Sequence, residues 1–242
     1  MDFTTFSQIF TSAAAKNNII LPNEAQMQQC YEFTKHLLEV NAHTNLTAIR
    51  ELIGIIDKHY IDSLLAMHLI PQGARVLDLG CGPGFPSIPL AIMRPDLEIF
   101  ALDSTAKKID FVQKSAEILK LSNLKPISGR AEDAKLRKSL GKFDTVVSRA
   151  VARLNILCEL CLPYLSIGGN LVALKGAKYE EELTESLNAI KVLGGEFIKT
   201  EQKSLVTSEN QVETRGTIVI QLKKEPSPQY PRSYAAILKK PL

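Results

Sequence analysis

The chain has 242 residues, 45% of them hydrophobic and 23% charged, with a formal net charge of +3. That balance excludes a disordered polyelectrolyte and allows one large domain, or a core with a modest appendage. No apolar run approaches the roughly 18 residues of a membrane span, and MDFTTFSQIF lacks the basic and apolar regions of a leader peptide; no membrane is expected as a partner, and the cytosol is the expected compartment.

The first 70 residues carry helical spacing: Phe3, Phe6, Ile9 and Phe10, then Met27, Tyr31, Leu37 and Leu38, then Leu52, Ile56, Tyr60 and Leu64. They hold four Lys/Arg against seven Asp/Glu, so the basic character of the chain lies downstream. PQG at 71–73 punctuates this helical cap, and from Val76 the pattern changes to short apolar runs alternating with amphipathic segments, the mark of repeated βα units. Strands are expected at 75–79, 98–102, 124–128, 143–148, 170–175, 196–204 and 217–223. The last two are separated only by the polar stretch LVTSENQVETRG, too short for a parallel crossover, so the sheet is expected to end in an antiparallel hairpin. The expected division is a helical cap at 1–70, a core at 71–224 and a basic tail at 225–242, where five Lys/Arg from Lys223 onward suit either phosphate contact or plain solvation.

The stretch RVLDLGCGPGFPSIPLA at 75–91 places a glycine-punctuated turn directly after a buried strand. Gly80, Gly82 and Gly84 let the backbone bend and approach a ligand closely. Phe85 stands where a dinucleotide fingerprint would have its third glycine, and no GxxxxGK[ST] occurs, so a dinucleotide and a P-loop are both disfavoured. An acidic residue, Asp78, followed by GxGxG resembles instead the first motif of class I methyltransferases. The next strand ends in Asp103, whose carboxylate can accept both hydroxyls of a ribose or cap the helix that follows; with the glycine loop beside it, ribose binding is favoured. GRAED at 129–133 reaches the same sheet edge, where a backbone amide or carboxylate can meet an adenine, and the fourth strand delivers Ser148 and Arg149 there. Arg149 is either a surface ion pair or a contact to cofactor or substrate. Cys158 and Cys161 form a CxxC, but within LNILCELCLPYL they read as a packed helix face, because a structural zinc site needs four ligands and no second pair follows.

The chain resembles the bacterial guanine-N7 methyltransferases of small-subunit ribosomal RNA, the glucose-inhibited division protein B or RsmG family. The matching segments are NLTAI at 45–49, KHYIDSL at 58–64, VLDLGCGPGFPSIPLAI at 76–92, LDSTAKKIDFV at 102–112, GRAED, FDTVVSRAVARL at 143–154, GGNLVALKG at 168–176 and YPR at 230–232. Val40, Ser87, Ala235 and Ile237 depart from the residues frequent in that family. The resemblance implies a Rossmann-like, seven-stranded α/β sheet with a reversed last strand. It also implies S-adenosyl-L-methionine as cofactor, held by Gly80, Phe85, Asp103, Ala131, Glu132 and Arg149, and 16S ribosomal RNA or the small subunit as partner. A small-molecule methyltransferase of the same fold and an RNA-binding module with a vestigial cofactor site are the other readings.

Guanine N7 carries a lone pair and no proton, so no general base is required and the expected residues are positioning ones. Ser148 and Arg149 are the leading candidates for the catalytic role, with Arg153 and Lys175 next. His43, His59 and His68 offer no metal spacing and are expected to pack or cap helices. The RNA is expected to be gripped by Lys107, Lys108, Arg215, Arg232, Lys239 and Lys240. No exposed heptad is evident, so a monomer is expected.

Overall fold

The computed structural model describes residues 2–242. Its first helix, α1 (Phe3–Lys16), is capped by the Asp2 carboxylate, which accepts the Thr5 amide at 2.9 Å. The second, α2 (Glu24–Thr44), begins with a reciprocal box in which Asn23 and Gln26 satisfy each other's amides. Met27, Cys30, Thr34, Leu37 and Asn41 recur on it at three- and four-residue spacing, and all are buried. The chain then passes through α3 (Leu52–Ile55), a π-helical segment (Ile56–Ile61) and α4 (Asp62–Leu64). Phe6, Phe10, Phe33 and Tyr60 meet ring to ring, and Phe85 of the glycine loop joins them, so one hydrophobic core runs from the helical cap into the sheet.

Seven strands follow: β1 (Arg75–Leu79), β2 (Glu98–Asp103), β3 (Leu124–Ser128), β4 (Phe143–Arg149), β5 (Leu165–Lys175), β6 (Gly195–Val206) and β7 (Val212–Leu222). They form a single sheet in the order β3-β2-β1-β4-β5-β7-β6, with β7 antiparallel to both its neighbours and the other pairings parallel. The crossovers are α5 (Ser87–Met93), α6 (Ala106–Leu119), α7 (Ala134–Leu140), α8 (Leu154–Cys161) and α9 (Tyr179–Val192), and the chain ends in α10 (Tyr234–Lys239). The central strands are buried on both faces, which is why they read as near-continuous apolar runs.

The expected antiparallel ending is present, with different bounds. The polar stretch expected as a loop is mostly strand, and the turn shrinks to residues 207–211. The cap accounts for this. Asn17 exchanges two 2.8 Å hydrogen bonds with the Val206 backbone, Lys16 reaches the Ser208 carbonyl at 3.0 Å, and the buried Asp57 carboxylate accepts the Ser208 amide and hydroxyl at 2.8 Å each. Polar side chains that looked like loop composition are therefore cross-links between the hairpin and the cap. β5 likewise begins five residues earlier than expected, where LSIGG still pairs at its start with β4. Among the described residues no helix is long and apolar enough to cross a membrane.

Candidate active site

All the loops of interest leave the sheet at the carboxyl ends of β1 to β4. The strand order changes direction between β1 and β4, and that crevice is where ligands sit in open α/β sheets. After β1, the amides of Gly80 and Cys81 both donate to the Leu102 carbonyl, at 2.8 and 3.0 Å, and the Gly82 amide donates to Asp103 Oδ2 at 3.0 Å. Gly82 lies at φ +56°, and a Cβ there would project into open space; Gly84, at φ +100°, would drive a Cβ to 2.5 Å from Ile88. The loop is thus closed behind by packing and open in front.

That front is a cavity of about 440 Å³, lined by Gly80, Gly82, Phe85, Asp103, Lys108, Ala131, Glu132 and Arg149 among others. Its size is in the range of small-molecule and cofactor sites. The Asp103 carboxylate accepts the Thr105 amide on its other oxygen at 2.8 Å, bracing the turn before α6, and still has a lone pair on each oxygen for a ligand's hydroxyls. At the β3 side the amides of Ala131 and Glu132 donate to no described residue, while the Ala131 carbonyl takes the Tyr164 hydroxyl at 2.9 Å.

Arg149 forms the opposite wall. Its Nη1 donates to the Lys58 carbonyl at 2.8 Å and to Asp62 at 3.0 Å, its Nη2 meets His59 Nδ1 at 3.2 Å, and its buried Nε has no partner among the described residues. The π-helical turn is what places Lys58 and His59 here, and such turns are frequent at functional sites. Because Arg149 can only donate, His59 Nδ1 must be the acceptor, leaving Nε2–H for Thr47 Oγ1 at 2.9 Å. Burial, and then the Arg149 charge, hold the His59 imidazole down to about 3, so it is neutral. Its ring stacks on Phe85 at 4.5 Å. Beneath the loop, burial pushes the Asp78 carboxyl up to about 7, offset in part by the Ser87 amide, which donates to Oδ2 at 3.0 Å; its Oδ1 has no partner among the described residues.

A second cavity, of about 540 Å³, adjoins the first. Arg149, Ala150 and Val151 line both, and Ala150 is held at φ +57°, a strained conformation for a residue with a Cβ. Five further charged residues line it, Asp62, Arg153, Lys175, Glu182 and Arg215, together with small and apolar ones such as Leu65, Leu174 and Gly216.

The family model described as rRNA small subunit methyltransferase G (GidB) matches residues 26–212. A protein of that name from Brevibacillus brevis is 42% identical over 240 residues, covering 96% of this chain and 98% of the relative, and one from Lactobacillus acidophilus is 39% identical over 238 residues with the same coverage. The chain belongs to the rRNA small subunit methyltransferase G (GidB) family. Among solved structures, M. jannaschii TYW2 in complex with AdoMet superposes with a TM-score of 0.51 at 16% identity, covering 64% of this chain and 72% of that one. The fold is that of the class I S-adenosylmethionine methyltransferases.

Against this site the expected residues divide. Gly80, Phe85, Asp103, Ala131, Glu132 and Arg149 all line the first cavity. Ser148 lines neither cavity: it is fully buried, and its hydroxyl donates to the Leu79 carbonyl at 2.8 Å, tying β4 to β1. Arg215 and Arg232, expected on RNA, are bound to internal carboxylates, Arg215 to Asp62 and Glu213 and Arg232 to Glu159. Lys107 donates to the Thr44 carbonyl and Lys108 lines the first cavity, whereas Lys239 and Lys240 are exposed. Cys158 and Cys161 are buried in the core, as expected of a packed face. His59 also packs, but against Phe85 and Arg149, and only its place in KHYIDSL pointed to the site. Asp62, Glu182 and Tyr234 were not anticipated.

Proposed function

We propose that the protein transfers a methyl group from S-adenosylmethionine to N7 of a guanine in 16S ribosomal RNA. The observation that carries this reading is the pair of adjoining cavities with one shared wall, Arg149-Ala150-Val151, inside the fold of a methyltransferase family. The residues of the first cavity fit the cofactor: Asp103 for the ribose hydroxyls, the free amides of Ala131 and Glu132 for the adenine edge, the open face at Gly82, and the Arg149 guanidinium as a positive wall toward a carboxylate. The cofactor supplies an already activated methyl, so the chain's own task is to bind and orient.

The acceptor base belongs in the second cavity. Lys175 is nearly buried and spends two of its three N–H donors, one on the Ala152 carbonyl at 2.6 Å and one on Glu182 at 2.8 Å. The third is available for the O6 of a guanine, which an adenine cannot match because it presents a donor there. Asp62 and Glu182 hold the cations of this wall in place, Asp62 pairing with Arg149 and Arg215 and Glu182 with Lys175. No side chain is needed to remove a proton, consistent with a neutral His59 committed to Arg149 and Thr47. Residues 1–70 act as a cap that positions Arg149 from behind, 71–224 as the transferase core and 225–242 as a tail. The partner is the small-subunit RNA, presenting an unstacked base, and the protein acts as a monomer in the cytosol. Incubation with methyl-labelled donor and undermethylated small subunits, followed by nuclease digestion, should place the label in 7-methylguanosine. Label found only on small metabolites, or none on RNA, would overturn this reading.

A further inference from the structure

The segment after β7 was expected to grip RNA through its charges. Its geometry points elsewhere. Arg232 donates three hydrogen bonds to the fully buried Glu159 of α8: from its amide at 2.9 Å and its Nε at 2.8 Å to Oε1, and from Nη2 at 2.6 Å to Oε2. A buried carboxylate is costly unless its lone pairs are met, and here one arginine and its own amide meet them. Ile237 of α10 is buried in the sheet-side core, with Tyr230 and Leu242 packed against it. The tail is thereby fixed to α8 and not free in solvent.

This docking brings Tyr234 to the first cavity, at the end also lined by Ala131, Glu132 and Leu160, the residue following Glu159. The Arg130 guanidinium lies 5.8 Å from the Tyr234 ring centre. Since Asp103 marks the position of a ribose, the base attached to it lies toward β3, the Ala131 and Tyr234 end. A flat aromatic ring there offers a stacking face beside the small and polar residues 129–132 that follow β3.

We propose that Tyr234 packs against the adenine ring of the bound nucleoside, and that the Arg232–Glu159 clasp positions it; the tail is a wall of the cofactor site. This rests on the reading that the first cavity takes S-adenosylmethionine. The test is calorimetric titration with S-adenosylhomocysteine, alongside ligand-free thermal unfolding. Tyr234→Ala should weaken binding about 10-fold, the usual scale of a base-to-aromatic contact, with the chain still folded cooperatively and its ligand-free unfolding midpoint lowered only modestly for the lost core packing. Tyr234→Phe should bind within about threefold of the parent. It should also lose part of the quenching of tyrosine emission by ligand, readable because the chain has six Tyr and no Trp. Arg232→Lys, which keeps the charge but not the fork, should weaken binding while the chain remains folded by circular dichroism. Leu238→Ala, on the exposed side of α10, should bind as the parent does. Binding by Tyr234→Ala within twofold of the parent would overturn the inference, whereas absence of binding by the parent itself would overturn the cofactor reading on which it stands.

Discussion

At the residue scale, two buried titratable groups beside Arg149 have opposite shifts. Asp78 is raised from an ordinary carboxyl value to about 7. The folded chain therefore binds more protons than the unfolded one between about 4 and 7, so this group's contribution to stability is full below pH 4 and is lost as pH rises through 7. His59 is depressed to about 3, so its contribution is full above pH 6.5 and is lost as pH falls toward 3. The two slopes oppose each other in the parent. Asp78→Asn removes the first, and its unfolding free energy should rise steadily from pH 4 to 6.5. It should also gain on the parent by on the order of 4 kcal/mol between pH 4 and pH 8. Urea titrations at four pH values read this directly; parallel curves for the two proteins would contradict it. Ala150 offers a second test, because its left-handed backbone carries a Cβ penalty that glycine lacks. Ala150→Gly should raise the urea midpoint by an amount worth about 1 kcal/mol, and no change would mean that the wall between the cavities is unstrained.

At the scale of elements, the active-site wall is built by the cap. Asp62 accepts from both Arg149 and Arg215, so an α4 residue fixes guanidiniums from β4 and β7. Asp62→Asn keeps the shape but weakens both contacts, and methyl transfer to RNA should fall at least about 10²-fold while the fold persists. The hairpin ties are testable apart from activity. Asp57→Ala leaves the Ser208 amide and hydroxyl without their partner and should cost about 2 kcal/mol, with faster amide exchange confined to residues 204–212. These couplings explain what could and could not be read in advance. The β1 run, the glycine turn and Asp103 lie within thirty residues, and each has a local signature. Arg149 with Lys58, His59 and Asp62 pairs residues about ninety positions apart, and nothing local reports it. Ser148 is buried on the Leu79 carbonyl, a contact between β4 and β1 that nothing local in the sequence reports. The hairpin's polar residues were read as a loop because their partners are on the cap.

At the scale of the whole molecule, the sheet, the cap and the tail each contribute one side of the first cavity: the strand ends its floor, Arg149 braced by the cap one wall, and Tyr234 of the tail the other. The tail shows why composition misleads. Five basic residues from Lys223 onward suggested a phosphate grip, yet Arg232 neutralises a core carboxylate and only part of that charge faces solvent. Residual RNA affinity should then decline only modestly with salt for this segment, and Lys239→Ala with Lys240→Ala should reduce the salt slope of RNA binding by at most about 2, as filter binding across a salt series would read.

The central claim is that the crevice between Asp103 and Arg149 binds an adenosyl sulfur compound. Isothermal titration of the purified chain with S-adenosylhomocysteine tests it most directly. One site per chain is predicted, with Asp103→Ala at least about 10-fold weaker because the ribose loses a charged acceptor. No heat of binding in the parent, or equal affinity in the two proteins, would contradict the account.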